Sequence, residues 1–169
     1  MTTNAIPLAQ RNALEPDSDL NNKAVSEIAT ALLQLLADAF ALYVKTKNFH
    51  WHLSGGHFRD YHLLLDEHAD QIFSITDDIA ERARKIGGTT IRSISDISRY
   101  QRVKDNNNDY VAAKEMMSEL RDDNRQFIRW LRSTHSLCEK HGDVATASFI
   151  EVWIDQAERR HWFLTQIVR

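Results

Sequence analysis

Side chains able to bind a transition metal are concentrated in one stretch near the middle of this chain. His62 and Asp66 lie four residues apart, and Asp77 and Glu81 repeat that spacing further along. Four residues make about one turn of helix, so each pair would share a helix face. With His62 set at zero, the other three fall at about 40°, 60° and 100° on a helical wheel. One stripe of a single helix would therefore carry an imidazole and three carboxylates.

The distance along that helix limits what one chain can build. Asp66 and Asp77 are eleven residues apart, which is about 16 Å of helix, whereas metal–ligand bonds are about 2 Å long. One ion cannot contact both. In an antiparallel pair of these helices about a twofold axis, the His62–Asp66 end of one helix would meet the Asp77–Glu81 end of the other. The spacing predicts metal sites shared between two subunits.

A second histidine can reach the same region from a preceding helix. Gly55 and Gly56 end that helix and favour a helical hairpin, and His50 and His62 lie at similar distances from the turn. The combined set of two histidines, two aspartates and one glutamate suits iron, manganese or zinc, and it leaves coordination positions open.

The elements that carry these residues are predicted to be helical. Both prolines lie within the first sixteen residues, and apolar residues recur afterwards at steps of three and four. We predict a flexible tail over residues 1–18 and a four-helix bundle over residues 19–169. The long connection over residues 89–109 would contain a short helix at 95–100, and its polar run 105–109 would cap the third helix. Long helices with this crossover are typical of the all-α, ferritin-like bundle.

The residues around the candidate ligands form distinctive stretches. They are Asn48–Phe58 (NFHWHLSGGHF), Tyr61–His62, Asp66, Asp77–Arg82 (DDIAER) and Ile86–Gly88. These stretches resemble the signature of the Dps-type mini-ferritins, the DNA-protection-during-starvation branch of the ferritin superfamily. The resemblance covers the first two long helices closely. Helix order and length agree over about residues 20–169.

The resemblance implies which subunit supplies each ligand. His50, His62 and Asp66 would come from one chain, and Asp77 and Glu81 from its twofold mate.

The resemblance also implies an activity and an assembly. The protein would oxidise Fe(II) with hydrogen peroxide and store Fe(III) mineral in a hollow shell of twelve identical chains. Trp51 would lie beside the site as an electron donor. Consuming iron and peroxide together would protect DNA without contacting it.

Two other functions remain possible on the residues alone. A DNA-condensing protein would need a cationic extension, but residues 1–22 contain only Arg11 as a cation, and the net charge is −3. DNA binding is therefore not expected. A bundle that binds zinc without oxidase turnover would carry the same ligands, and only an oxidation assay separates it from a ferroxidase.

The remaining histidines receive structural interpretations. His52, His57 and His68 are predicted at the surface or in turns. His161 follows Glu158 at the spacing of di-iron bundles, but the second helix has no matching pair, so we expect His161 in the core and no di-iron centre inside the bundle.

Composition suggests a compartment. A single cysteine fits a reducing environment, no run is judged apolar enough to cross a membrane, and the N-terminus lacks signal-peptide features. We expect a cytoplasmic protein.

Overall fold

Helices account for all the regular structure in the described part of the chain, residues 18–169 of a computed structural model. They are α1 (Asn22–His52), α2 (Phe58–Lys85), α3 (Ile94–Tyr100), α4 (Ala113–His141) and α5 (Val144–Val168). The prediction of an all-α bundle of four long helices, with a short helix between the second and third, is confirmed. The predicted tail, residues 1–18, lies outside the described residues except for its last position, and its flexibility stays a prediction.

The long helices pack as two antiparallel hairpins. α1 packs against α2, α4 packs against α5, and contacts between α1 and α4 join the two pairs. The apolar stripes meet in one core, where each fully buried leucine or isoleucine contributes about 1.5–3 kcal/mol. Arg82 near the end of α2 donates to Oδ1 of Asp143 at 3.0 Å, and that carboxylate caps α5 by accepting from the backbone N–H of Thr146. These bonds fix α2 relative to α5.

The polar run that was expected to cap the third helix has another role. α4 begins at Ala113, after Ala112, so residues 105–109 do not cap it, and that prediction is wrong. Instead, Asn106 donates to Glu119 on α4 at 2.8 Å, and its backbone carbonyl accepts from Asn48 on α1 at 3.1 Å. These hydrogen bonds hold the connection against α1 and α4.

One helix contradicts the expectation that no run is apolar enough to cross a membrane. α1 has 31 residues, with an 18-residue window of mean hydropathy 1.5. Within the bundle, 56% of that window is buried. Burial against α2 and α4 accounts for this hydropathy, since a core helix needs apolar side chains over much of its surface.

Gly88 marks a close approach between the end of α2 and α1. A Cβ at this position would overlap the Cβ of Ala29 and lie 2.9 Å from the carbonyl oxygen of Ala83. We expect Gly88→Ala to lower the free energy of unfolding in urea by about 1–3 kcal/mol, because well-packed neighbours must shift. Gly56→Ala is the matched control, since a Cβ there meets open space. Equal effects of the two substitutions would contradict this packing.

Candidate metal centre

Two histidines from the α1–α2 hairpin form the heart of the candidate site. The imidazole rings of His50 and His62 stack with their centroids 3.7 Å apart and their planes inclined by 21°. Phe58, at the start of α2, stacks on the other side of His62 at 5.0 Å. The predicted convergence of the two histidines is therefore found.

Reciprocal hydrogen bonds orient the two imidazoles. Nδ1 of His50 lies 2.9 Å from the backbone oxygen of His62, and Nδ1 of His62 lies 3.1 Å from the backbone oxygen of His50. A carbonyl oxygen only accepts, so each Nδ1 carries the proton and donates it. Each neutral ring then keeps a lone pair on Nε2. This is the arrangement in which histidine binds metals, with its other nitrogen held by a backbone carbonyl.

Asp66 brings a carboxylate to the same place. Its Oδ1 lies 3.9 Å from Nε2 of His50 and accepts a hydrogen bond from Nζ of Lys47 at 2.5 Å. The Lys47 hydrogen bond holds the pKa of Asp66 below its usual range, and Asp66 in turn raises the pKa of Lys47. Asp66 is therefore an anionic candidate ligand that is paired with an ammonium group.

The other two predicted ligands lie apart from these three. Asp77 and Glu81 are exposed near the end of α2, and Glu81 accepts a hydrogen bond from Lys85 at 2.7 Å, which lowers its pKa. Among residues 18–169, no three histidine, cysteine or acidic side chains are grouped closely enough to hold one ion. A single chain thus carries the candidate ligands in two separated groups, one towards each end of α2.

Several large apolar side chains are exposed on the α1–α2 hairpin and on α3. Six of them are 45–79% exposed: Val44, Trp51, Phe58, Leu63, Phe73 and Ile94. Val44, Trp51, Phe73 and Ile94 line a groove of about 840 Å³ beside α1 and α3. A neighbouring groove of about 730 Å³ includes Asp77 with Phe73 and Ile94. Clustered apolar exposure of this kind marks a surface for association.

His68 differs from its predicted position. It is buried between α2 and α5, with its ring edge-on to Phe163 at 6.5 Å, so the surface prediction is wrong. Burial, followed by the charges of Arg160 and Arg159, lowers its pKa to about 3. Its place three residues after Leu65, on the core stripe of α2, was the sequence signal for burial.

The core stripe of α5 differs from the prediction at His161, where the neighbouring Arg160 is buried instead. His161 is only half-buried and bonds through Nδ1 to the backbone oxygen of Arg121 at 3.0 Å, whereas Arg160 is fully buried. The expectation that His161 lies in the core is therefore wrong. His52 and His57 are exposed, as predicted.

Comparisons with known proteins match this architecture. A family model for the ferritin-like domain matches residues 29–169. A low temperature-induced protein of Nostoc is 33% identical over 83% of this chain and 79% of its own length. DNA protection during starvation protein 1 of Deinococcus radiodurans is 29% identical over 93% of this chain and 76% of that protein. The crystal structure of a Dps protein from Bacillus brevis gives a TM-score of 0.84 at 25% identity, covering 89% of this chain and 100% of that one.

The fold and these matches place the chain in the ferritin-like domain family, to which it belongs. Within that family it is a Dps-type mini-ferritin, which confirms the resemblance read from the sequence around His50 and Asp77.

Proposed function

We propose that this protein oxidises Fe(II) at sites shared between two subunits and stores the product as Fe(III) inside a hollow shell of twelve chains. His50, His62 and Asp66 of one subunit would act with Asp77 and Glu81 of the partner subunit. The carrying observation is the histidine pair, whose Nδ1 atoms are held by backbone carbonyls while Nε2 of His50 lies 3.9 Å from Oδ1 of Asp66. The remaining acids lie near the far end of α2. The exposed apolar side chains of the α1–α2 hairpin and α3, two of which line a groove with Asp77, support a subunit interface on this face.

The donor set suits iron that is to be oxidised. Two neutral imidazoles and three carboxylates supply more negative charge than a divalent ion needs, so they favour the trivalent product. Each hydrogen peroxide takes two electrons and two protons to become two waters, and two Fe(II) ions supply the electrons. Trp51 follows His50 in the sequence, and its side chain is 64% exposed. It is the proposed auxiliary electron donor. Removing ferrous iron and peroxide together would protect the cell from oxidative damage.

Two measurements on the wild-type protein test this function. Absorbance should show that the protein accelerates Fe(II) oxidation, with peroxide more effective than oxygen. Light scattering should give about 235 kDa, the mass of twelve chains of 19.6 kDa each. A monomer or simple dimer as the sole species would contradict the storage shell, since neither can enclose a mineral. Metal binding without faster oxidation would favour the zinc-binding alternative.

Lys47 should compete with a metal ion for Asp66. We expect Lys47→Met to raise the affinity for Zn(II), a redox-inert probe of the same ligands, by about threefold in calorimetric titration, the scale of a partly exposed ion pair. Lys114→Met is the control, since Lys114 is an exposed lysine on α4. An unchanged or weaker Zn(II) affinity in Lys47→Met would show that the ammonium does not oppose metal binding.

A further inference from the structure

One arginine lies wholly inside the bundle. Arg160 on α5 has no exposed surface and is the bulkiest of the fully buried side chains in the described part of the chain. Its Nε donates to Oδ1 of Asn124 on α4 at 2.9 Å. Its two terminal nitrogens, Nη1 and Nη2, have no hydrogen-bond partner among residues 18–169. The N–H groups of those two nitrogens therefore point into the interior without an acceptor.

No acidic side chain of the described residues neutralises this guanidinium. Burial lowers the pKa of Arg160 to about 10, and no neighbouring carboxylate opposes that effect, so the group is still protonated at neutral pH. On α2 the nearby titratable group is His68, a buried imidazole that supplies no negative charge. Arg159, the preceding residue on α5, pairs with Glu67 at the surface. The bundle interior therefore holds a positive charge without a counter-charge from residues 18–169.

The neighbouring residues on the same stripe of α5 are buried as well. Ala157 and Leu164, about one turn to either side of Arg160 on α5, are fully buried. An unpaired charge in such a place is strongly destabilising, and buried charges in folded proteins are paired or neutralised. Oε1 of Gln156, one turn before Arg160, is also buried and has no donor in the described part of the chain. A water held next to an anion can donate to both, which would satisfy this amide oxygen as well.

We propose that the bundle binds one small inorganic monoanion, of the size of chloride, at the terminal nitrogens of Arg160, where α2, α4 and α5 meet. A monoanion balances the single positive charge and accepts hydrogen bonds from the two unpartnered nitrogens. A dianion would leave a net negative charge in the same interior. The site is separate from the candidate iron ligands and does not depend on the proposed iron chemistry.

Urea unfolding of the metal-free, full-length protein at fixed concentration tests the site. Sodium chloride replaces sodium gluconate, whose anion is too large to enter, at constant ionic strength. Above the dissociation constant, each tenfold rise in chloride should raise the folded-to-unfolded ratio of each chain about tenfold. Arg160→Met should lose this dependence. Arg129→Met should keep it, because Arg129 is an exposed arginine on α4 whose side chain bonds to Gln126. A wild type insensitive to chloride, or the same response in Arg160→Met, would overturn the proposal.

A bromide-containing crystal of the wild-type protein locates the anion directly. This experiment needs no variant. In crystals of the wild-type protein grown with bromide, anomalous scattering should show a peak within hydrogen-bonding reach of Nη1 or Nη2 of Arg160. Water at that position, or no peak, would overturn the proposal. Loss of iron oxidation in other variants would leave this result untouched, since the two sites share no residue.

Discussion

His50→Ala should slow Fe(II) oxidation by about a hundredfold or more, because loss of a ligand should exceed the 10–100-fold cost typical of losing a ligand's supporting partner. The substitution removes one Nε2 donor and also the hydrogen bond that His50 donates to the backbone oxygen of His62. The initial rate of absorbance change with peroxide as oxidant measures the effect. Zn(II) titration of the same variant should show weaker binding.

His52→Ala is the control for this substitution. His52 lies two residues further along α1, is exposed, and uses Nδ1 to bond to the backbone oxygen of Asn48. Its removal should leave the oxidation rate within about twofold of wild type, as for surface substitutions away from a site. Equal oxidation rates for His50→Ala and wild type, with assembly intact by light scattering, would show that His50 is not a ligand of the metal.

Asp38→Ala should lower the free energy of unfolding by about 2–5 kcal/mol, because it leaves two backbone N–H groups without their acceptor, at about 1–3 kcal/mol for each buried donor. Asp38 is fully buried in α1 and accepts from the backbone N–H groups of Arg102 and Val103 and from Nε and Nη2 of Arg102, at 2.5–3.2 Å. Burial raises the pKa of Asp38, while the Arg102 contacts oppose that effect. Arg102 also lies over the ring of Trp130 at 4.1 Å. The carboxylate therefore fastens the long connection to α1.

A surface aspartate provides the comparison for Asp38. Asp122 on α4 pairs with Arg121 and Arg125 while remaining partly exposed, so Asp122→Ala should cost at most about 1 kcal/mol in urea unfolding. Similar losses for Asp38→Ala and Asp122→Ala would mean that the connection does not depend on the buried carboxylate.

The fold followed from the sequence because local and long-range signals agreed. The absence of proline after Pro16, glycines at helix ends and apolar steps of three and four residues all favour long helices. The order of long and short connections then selected the bundle. Periodicity failed where adjacent residues compete for one stripe. Arg160 and His161 differ by about 100° around α5. Only the packing of α5 against its neighbouring helices decides which of the two is buried.

The candidate site was predicted in outline from spacing alone. Residues near a glycine turn must meet, so the approach of His50 to His62 could be expected. The reciprocal hydrogen bonds from the Nδ1 atoms of His50 and His62 to backbone oxygens could not be predicted, because they depend on side-chain rotamers and on the distance between two helices. The pairing of Lys47 with Asp66 likewise depends on where a long, flexible side chain finds a partner across the hairpin. Spacing selects the candidate ligands, but the hydrogen bonds that orient them depend on the three-dimensional structure.

We propose that each metal site takes ligands from two subunits, and a mixing experiment tests this arrangement most directly. His62→Ala and Glu81→Ala should each oxidise Fe(II) poorly, since each loses one ligand from every site. The two variants are dissociated, combined in equal amounts and reassembled. About half of the twofold interfaces then pair one variant with the other, and one of the two sites in each has both His62 and Glu81 intact. About a quarter of all sites should recover, and activity should rise above either parent. Activity that stays at the parental level after verified mixing would mean that all ligands belong to one chain, which would contradict the shared site.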